Sequence, residues 1–190
     1  MNPPIRLYMS MSLDGFIAGP DDRAGQELGR DGGRLFNWMD DRMSDGPNGQ
    51  VFREVLATGA LISGRRTFEL AGRWQGDHHD GVPIFVLSRR EPDSEMGQWP
   101  LVTYVNDVRT AMSEAKRAAG DKNVLVHGAG TAQLALAAGV LDELEIHLIP
   151  VLLGQGRRLF DNLDPEQIEL ERTRVLEGDG VTHLHYRVQR

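Results

Sequence analysis

From about residue 60 onward the chain repeats one local pattern. A short run of branched apolar residues gives way to a glycine or polar break and then to a segment with helical spacing. "ALIS", "VPIFVLS", "LVTYV", "NVLVHG" and "LDELEIHLIPVLL" are the apolar runs, and runs this continuous suit strands covered on both faces. "RTFELAG", "DVRTAMSEAKRAAG" and "TAQLALAAG" are the helical segments, the second with Asp107 as its N-cap and Gly120 as its stop. Upstream, "IRLYMSMSL" alternates and predicts a strand over Ile5 to Met11, "DGFIAGPDDRAGQELGRDGG" reads as a long loop, "LFNWMDDRMS" as a short helix and "QVFREVLAT" as another. The end of the chain, "IELERTRVLEGDGVTHLHYRVQ", predicts a hairpin turning at Asp179-Gly180. The expected fold is α/β: a mostly parallel central sheet flanked by helices, with a C-terminal antiparallel hairpin. At 190 residues, the whole chain, 1–190, fits a single domain.

Charge narrows the class of partner. The formal net charge of -7 argues against a nucleic-acid groove or an anionic membrane surface, so any anion site must be local. There is no cysteine, which removes disulfides, thiol catalysis and thiolate metal sites. No signal-like N-terminus and no apolar run of about 18 residues is present, so a cytoplasmic location is the default expectation.

Two strand–glycine–helix junctions carry the functional signal, "LISGRRTFE" and "LVHGAGTAQL". The first puts Arg65 and Arg66 at the end of a helix that is already partly positive, which makes sense where an anion is received. In an open α/β sheet, ligands bind beyond the carboxyl ends of the strands, where glycine lets an anion approach unpaired backbone N–H groups. The plain alternative is that these glycines only make tight turns. "GAGTAQ" approaches the dinucleotide fingerprint, but Glu143 and Glu145 follow too early for the ribose-binding acid, so a Rossmann unit is rejected and a phosphate cradle retained. "LSRR" adds Ser88, Arg89 and Arg90 at another strand exit, where a further phosphate or only solvent could meet them. Asp14, in "MSLDG", either makes a turn or orients a polar substrate. His183 and His185 share a strand face, but no third metal ligand is evident, nor for "HHD" at His78 to Asp80, so no metal is expected.

In their order, "MSLDGFIA", "GRRTFE", "VLSRR", "VHGAGTAQLAL" and "VLDELEIHLIPVLLGQGRRLF" resemble the dihydrofolate-reductase-like superfamily. The nearest resemblance is to the reductase domain of riboflavin-biosynthesis deaminase–reductases and its stand-alone relatives. That resemblance implies NADPH as hydride donor. It puts Gly64, Arg65, Arg66 and Thr67 at the adenosine-side phosphates and Ser88 and Arg89 by the ribose 2′-phosphate. Gly128, Ala129, Gly130 and Thr131 would lie round the pyrophosphate, and Asp14 near the nicotinamide and substrate as the catalytic candidate. It also implies a homodimer.

The chain departs from the family pattern at the substrate end. Asn48 falls where dihydrofolate reductases carry a substrate-binding carboxylate, and Asp45 is near enough to stand in. His127 replaces the glutamate that riboflavin-pathway reductases show before the glycine pair, and Phe16 replaces their lysine or arginine. Phe36, Trp38, Phe52 and Trp74 are the apolar candidates for the substrate lining, with Asn48 and His127 the polar ones. The expected function is an NADPH-dependent reductase of a small polar heterocycle, imine or carbonyl. Two alternatives stay open: a nucleotide- or flavin-binding module without turnover, and a metal-dependent hydrolase using the histidines.

Overall fold

A computed structural model of the chain describes residues 3–92, 99–163 and 167–189. The first strand, β1 (Ile5–Ser12), is followed by a short β2 (Phe16–Ala18), a 3-10 segment (Gly32–Asp41) and helix α1 (Pro47–Leu56). Next come β3 (Ala60–Gly64), α2 (Arg65–Leu70), β4 (Ile84–Leu87), β5 (Val102–Val105), α3 (Val108–Ala119), β6 (Val124–His127) and α4 (Ala129–Ala137). The chain ends with β7 (Glu143–Ile149), the two-residue β8 (Arg157–Arg158), β9 (Leu170–Gly178) and β10 (Val181–Val188).

Eight strands form one sheet in the order β5-β4-β3-β6-β1-β7-β10-β9. All pairings from β5 to β7 are parallel, and β10 is antiparallel to both β7 and β9. Val181 pairs with Gly178, so Asp179 and Gly180 are the two-residue hairpin loop expected from sequence. The Asp107 carboxylate accepts the Thr110 N–H at the start of α3, as the capping pattern predicts.

Period-two alternation divides the core. Leu7, Ile62, Val126 and Ile146 face α3 and α4, which cover them with Ala111, Ala115, Ala132 and Ala135. Tyr8, Leu61, Leu125 and Val86 face the other way, under Trp38, Val51 and Phe68. Alanine on the helices lets them lie close to the sheet. The central strand β3 is buried at Ala60, Leu61, Ile62 and Ser63, which is why it reads as an apolar run rather than an alternating one.

The chain leaves β3 toward β4 on one side and leaves β6 toward β7 on the other. The seam between β3 and β6 is therefore a topological switch point, with α2 and α4 starting at its carboxyl end on opposite faces of the sheet. Two local expectations change. Part of the predicted loop, Phe16–Ala18, pairs with Arg157–Arg158 as a small second sheet, and the predicted helix near Leu35 is a 3-10 segment.

Candidate active site

Both glycine junctions meet at the switch point, and each glycine faces the other junction's threonine. A Cβ on Gly128, where φ is +92, would lie 2.4 Å from Thr67 Oγ1. A Cβ on Gly64 would lie 3.0 Å from Thr131 Oγ1. Gly128 thus needs glycine both for its backbone conformation and for space. Gly130, in the first turn of α4, has nothing within 4 Å of where its Cβ would be. The Thr131 hydroxyl is buried and has no hydrogen-bond partner among the described residues. Such a group needs an explanation, and a ligand oxygen arriving at the open helix start is a chemically suitable one.

The two arginines separate. Arg65 turns away from the seam: its Nε donates to Glu69 Oε1 at 2.6 Å, its Nη1 donates to the Glu91 carbonyl at 2.8 Å, and its guanidinium lies 5.9 Å from the Tyr104 ring. Arg66 turns into the cleft, where its Nη2 donates to Asp22 Oδ1 at 2.9 Å. Arg157, from β8, donates to both oxygens of the same carboxylate at 2.9 and 3.1 Å. Burial works to raise the Asp22 carboxyl, but hydrogen bonds and charge from Arg66 and Arg157 outweigh it and hold the group below its ordinary value. Ser88 and Arg89 follow β4, one residue beyond the Gly64–Leu87 pairing, and the Ser88 hydroxyl donates to the Arg90 carbonyl at 2.8 Å.

A cavity of about 430 Å³ runs from this junction under the 3-10 segment and α1. Phe36, Trp38, Phe52, Trp74 and His127, all expected from sequence, line it together with Thr67 and Gly128. Trp74 reaches it through a left-handed turn: Gly72, Arg73, Trp74, Gln75 and Gly76 have φ of 61, 57, 45, 51 and 85. Left-handed backbone costs about 1–2 kcal/mol at each non-glycine residue, and strain of this kind gathers at functional sites. Sequence pointed only to a helix stop at Gly72.

Three histidines share this wall. His127 Nδ1 lies 3.1 Å from the Tyr8 carbonyl, which can only accept, so Nδ1 carries the proton and Nε2 is a bare acceptor. The His78 and His79 Nδ1 atoms are 2.6 Å apart, so one donates and the other accepts. Burial pushes the His78 ring down to about 3 and His127 down to about 4. Both are neutral at neutral pH. No group of three or more histidine, aspartate or glutamate side chains suited to a metal ion occurs among the described residues.

Two expected site residues have other surroundings. Asp14 is not part of the cavity lining: its carboxylate accepts from the Ser12 hydroxyl at 2.6 Å and from the backbone N–H groups of Leu153 and Gly154 at 3.1 and 2.7 Å. The Ser12 hydrogen bond leads in holding this carboxyl down to about 2, and the two amides add to it. A group so acidic is a poor proton donor; here it organises the turn that carries residues 151–154. Asn48 is 1% exposed and also stands outside the lining. Its Nδ2 donates to the Trp38 and Asp179 carbonyls at 3.3 Å each, and its Oδ1 lies 3.0 Å from His183 Nε2. An amide suits this spot, because its NH2 group donates to two carbonyls, which a carboxylate could not do. His183 in turn meets the buried His147, Nδ1 to Nδ1 at 2.8 Å.

Asp22 and Arg157 were not legible as site residues. Their meeting depends on pairing between β2 and β8, well over a hundred residues apart in sequence.

Residues 3–184 match the RibD C-terminal domain family. The chain is 29% identical over 192 aligned positions to YwjB of Bacillus subtilis, an uncharacterized protein, with 95% of each covered. Among solved structures, a protein from Shewanella sp. PV-4 named for riboflavin biosynthesis superposes with a TM-score of 0.75 at 23% identity, covering 98% of this chain and 99% of that one. A Thermotoga maritima diaminohydroxyphosphoribosylaminopyrimidine deaminase/5-amino-6-(5-phosphoribosylamino)uracil reductase superposes with a TM-score of 0.64 at 13% identity. That match covers 99% of this chain and 57% of the longer protein.

Proposed function

The chain belongs to the RibD C-terminal domain family, and from that premise we propose that it is an NADPH-dependent reductase acting on a small heterocycle, imine or carbonyl compound. The observation that carries this reading is the pair of crossed glycine–threonine junctions at the switch point, opening directly into an aromatic cleft. When bound, the nicotinamide supplies the hydride; the protein contributes binding, orientation and exclusion of water.

The residues present suit such a cofactor. After Gly128, whose N–H meets Met9 Sδ, Ala129, Gly130 and Thr131 offer the first amides of α4, open space at Gly130 and an unpartnered hydroxyl for the pyrophosphate. Arg66 and Thr67 line the cavity with Gly128, and Gly64 faces Thr131 across the seam; Arg65 binds Glu69 and the Glu91 carbonyl, and Ser88 and Arg89 follow the neighbouring strand β4. Asp22 now accepts from Arg66, and a phosphate is a stronger competitor for that fork than a single carboxylate. The apolar wall formed by Phe36, Trp38, Phe52 and Trp74 keeps water from the reacting ring. Asp14 positions the 151–154 turn and is not assigned the proton.

The test is loss of the reduced-nicotinamide absorbance when purified protein is mixed with NADPH and a panel of conjugated carbonyls, imines and pyrimidines. Turnover with at least one member, abolished by Gly128→Val, is expected. Saturable NADPH binding with no turnover across the panel would support the non-catalytic nucleotide-binding module instead.

A further inference from the structure

The cleft as a whole carries no net formal charge. Among the described residues lining the cavity, the charged side chains are Asp22, Glu27, Arg66 and Arg157: two positive against two negative, a formal sum of zero. Both arginines hold Asp22, and if a cofactor phosphate takes the Arg66 fork, Arg157 still pairs with that carboxylate, so neither cation is left for a second phosphate. Beyond these four, the titratable side chains in the lining are Tyr8 and three histidines, and no further lysine or arginine lines the cavity among the described residues. Taking a phosphate dianion out of water against such a wall is costly unless a cation meets it.

The hydrogen-bonding character at His127 is also fixed. The Tyr8 carbonyl holds His127 in the tautomer whose Nε2 is a lone pair. No hydrogen bond to that Nε2 occurs among the described residues, and the ring sits in the cavity wall, 6.1 Å from the Trp74 ring and 5.4 Å from the His78 ring. Burial of His127 keeps that lone pair available at neutral pH. An acceptor set between aromatic rings suits a flat ligand that brings its own N–H. A carboxylate or a ring anion would meet a lone pair with a lone pair.

We propose that the substrate end of this cleft binds an uncharged planar ring bearing an N–H, which His127 Nε2 accepts, and that it discriminates against phosphorylated ligands. The reading rests on the proposed reductase function for the word substrate, but the ring site itself is defined by the cavity. His127 is then the specificity-determining residue: where a glutamate would add charge, the imidazole presents a neutral acceptor.

Binding can be read without turnover, because Trp38 and Trp74 line the cavity and report ligand by fluorescence quenching. The probes are quinazolinedione, a neutral bicycle with two N–H groups, and its N,N′-dimethyl derivative; ribose phosphate is the competitor. On the unmodified chain, saturable quenching by quinazolinedione is expected, with at least ~10-fold weaker binding of the dimethyl derivative, the factor for about 1.4 kcal/mol. Ribose phosphate in large excess is expected not to displace it. His127→Leu should weaken quinazolinedione to the level of the dimethyl compound and leave the dimethyl compound unchanged. Equal binding of the two bicycles, no quenching by either, or displacement by ribose phosphate overturns the proposal without need of any variant. NADPH binding, followed by its own fluorescence, separates the two claims. Bound NADPH with failed ring discrimination refutes this inference and leaves the reductase reading standing; ring discrimination without NADPH binding does the reverse.

Discussion

Replacing Gly128 by alanine probes the crossing of the two junctions, and its cost can be worked from geometry. At φ +92 an alanine is strained whatever space surrounds it, by about 1–2 kcal/mol. The added Cβ would also lie 2.4 Å from Thr67 Oγ1 and 3.2 Å from Thr67 Cβ. Relieving such an overlap by rotamer and backbone shifts costs about 1–3 kcal/mol. Gly128→Ala is therefore expected to destabilise the protein by about 2–5 kcal/mol in urea unfolding. Thr67→Ala removes the nearest atom but not the φ. In that background the same glycine substitution should cost only the conformational part, about 1–2 kcal/mol, so the double-mutant cycle should show coupling of at least about 1 kcal/mol. Equal cost in both backgrounds would mean that the two junctions do not touch, and the crossed cradle would be wrong.

Other perturbations bear on other parts of the site. Asp22→Asn should release the fork of Arg66 and strengthen binding of NADPH and inorganic phosphate, with a steeper salt dependence in isothermal titration, because the competing carboxylate is gone. Asn48→Leu should cost about 2–3 kcal/mol in urea unfolding, since it strands the Trp38 and Asp179 carbonyls and the His183 N–H. Stability should depend on pH through the buried histidines. With folded pKa values of about 3 for His78 and about 4 for His127 against 6.5 for the ordinary ring, the unfolded chain takes up protons first. The contribution is fully present above pH 6.5 and falls away as pH drops from 6.5 toward 4, and a His78→Phe variant should show a shallower decline over that window.

Much of the fold could be read from residues close in sequence. Strand and helix periodicity, the Asp107 cap, the Asp179-Gly180 turn and both glycine junctions are local signals, and they survive folding because parallel strands and their helices are each nearly self-consistent. Phe36, Trp38, Phe52 and Trp74, the apolar candidates named from sequence, line the cavity, and Trp38 is also part of the core. What was not legible depends on long-range pairing or on competition between roles. Asp14 looked like a lone carboxylate at a strand end, but the amides of Leu153 and Gly154 claim it. Asn48 looked like a damaged substrate ligand, but it ties α1 to the Trp38 carbonyl and the hairpin turn. Arg65 and Arg66 looked equivalent, although consecutive positions at a helix start point in different directions, and only Arg66 enters the cleft. Asp22 joins Arg66 to Arg157 only because residues far apart along the chain form the small second sheet.

The hydroxyl of Thr131 gives the most direct test of the central claim, that a reduced nicotinamide nucleotide binds across the β3–β6 seam. That oxygen is buried and makes no hydrogen bond among the described residues, so the protein alone has little use for it. Thr131→Val keeps the shape and removes the oxygen. Unfolding stability should be unchanged or higher, while the NADPH dissociation constant should rise about tenfold, the scale of one hydrogen bond to a charged group. Unchanged NADPH affinity in a fully folded Thr131→Val protein, or no NADPH binding by the natural chain, would contradict the account.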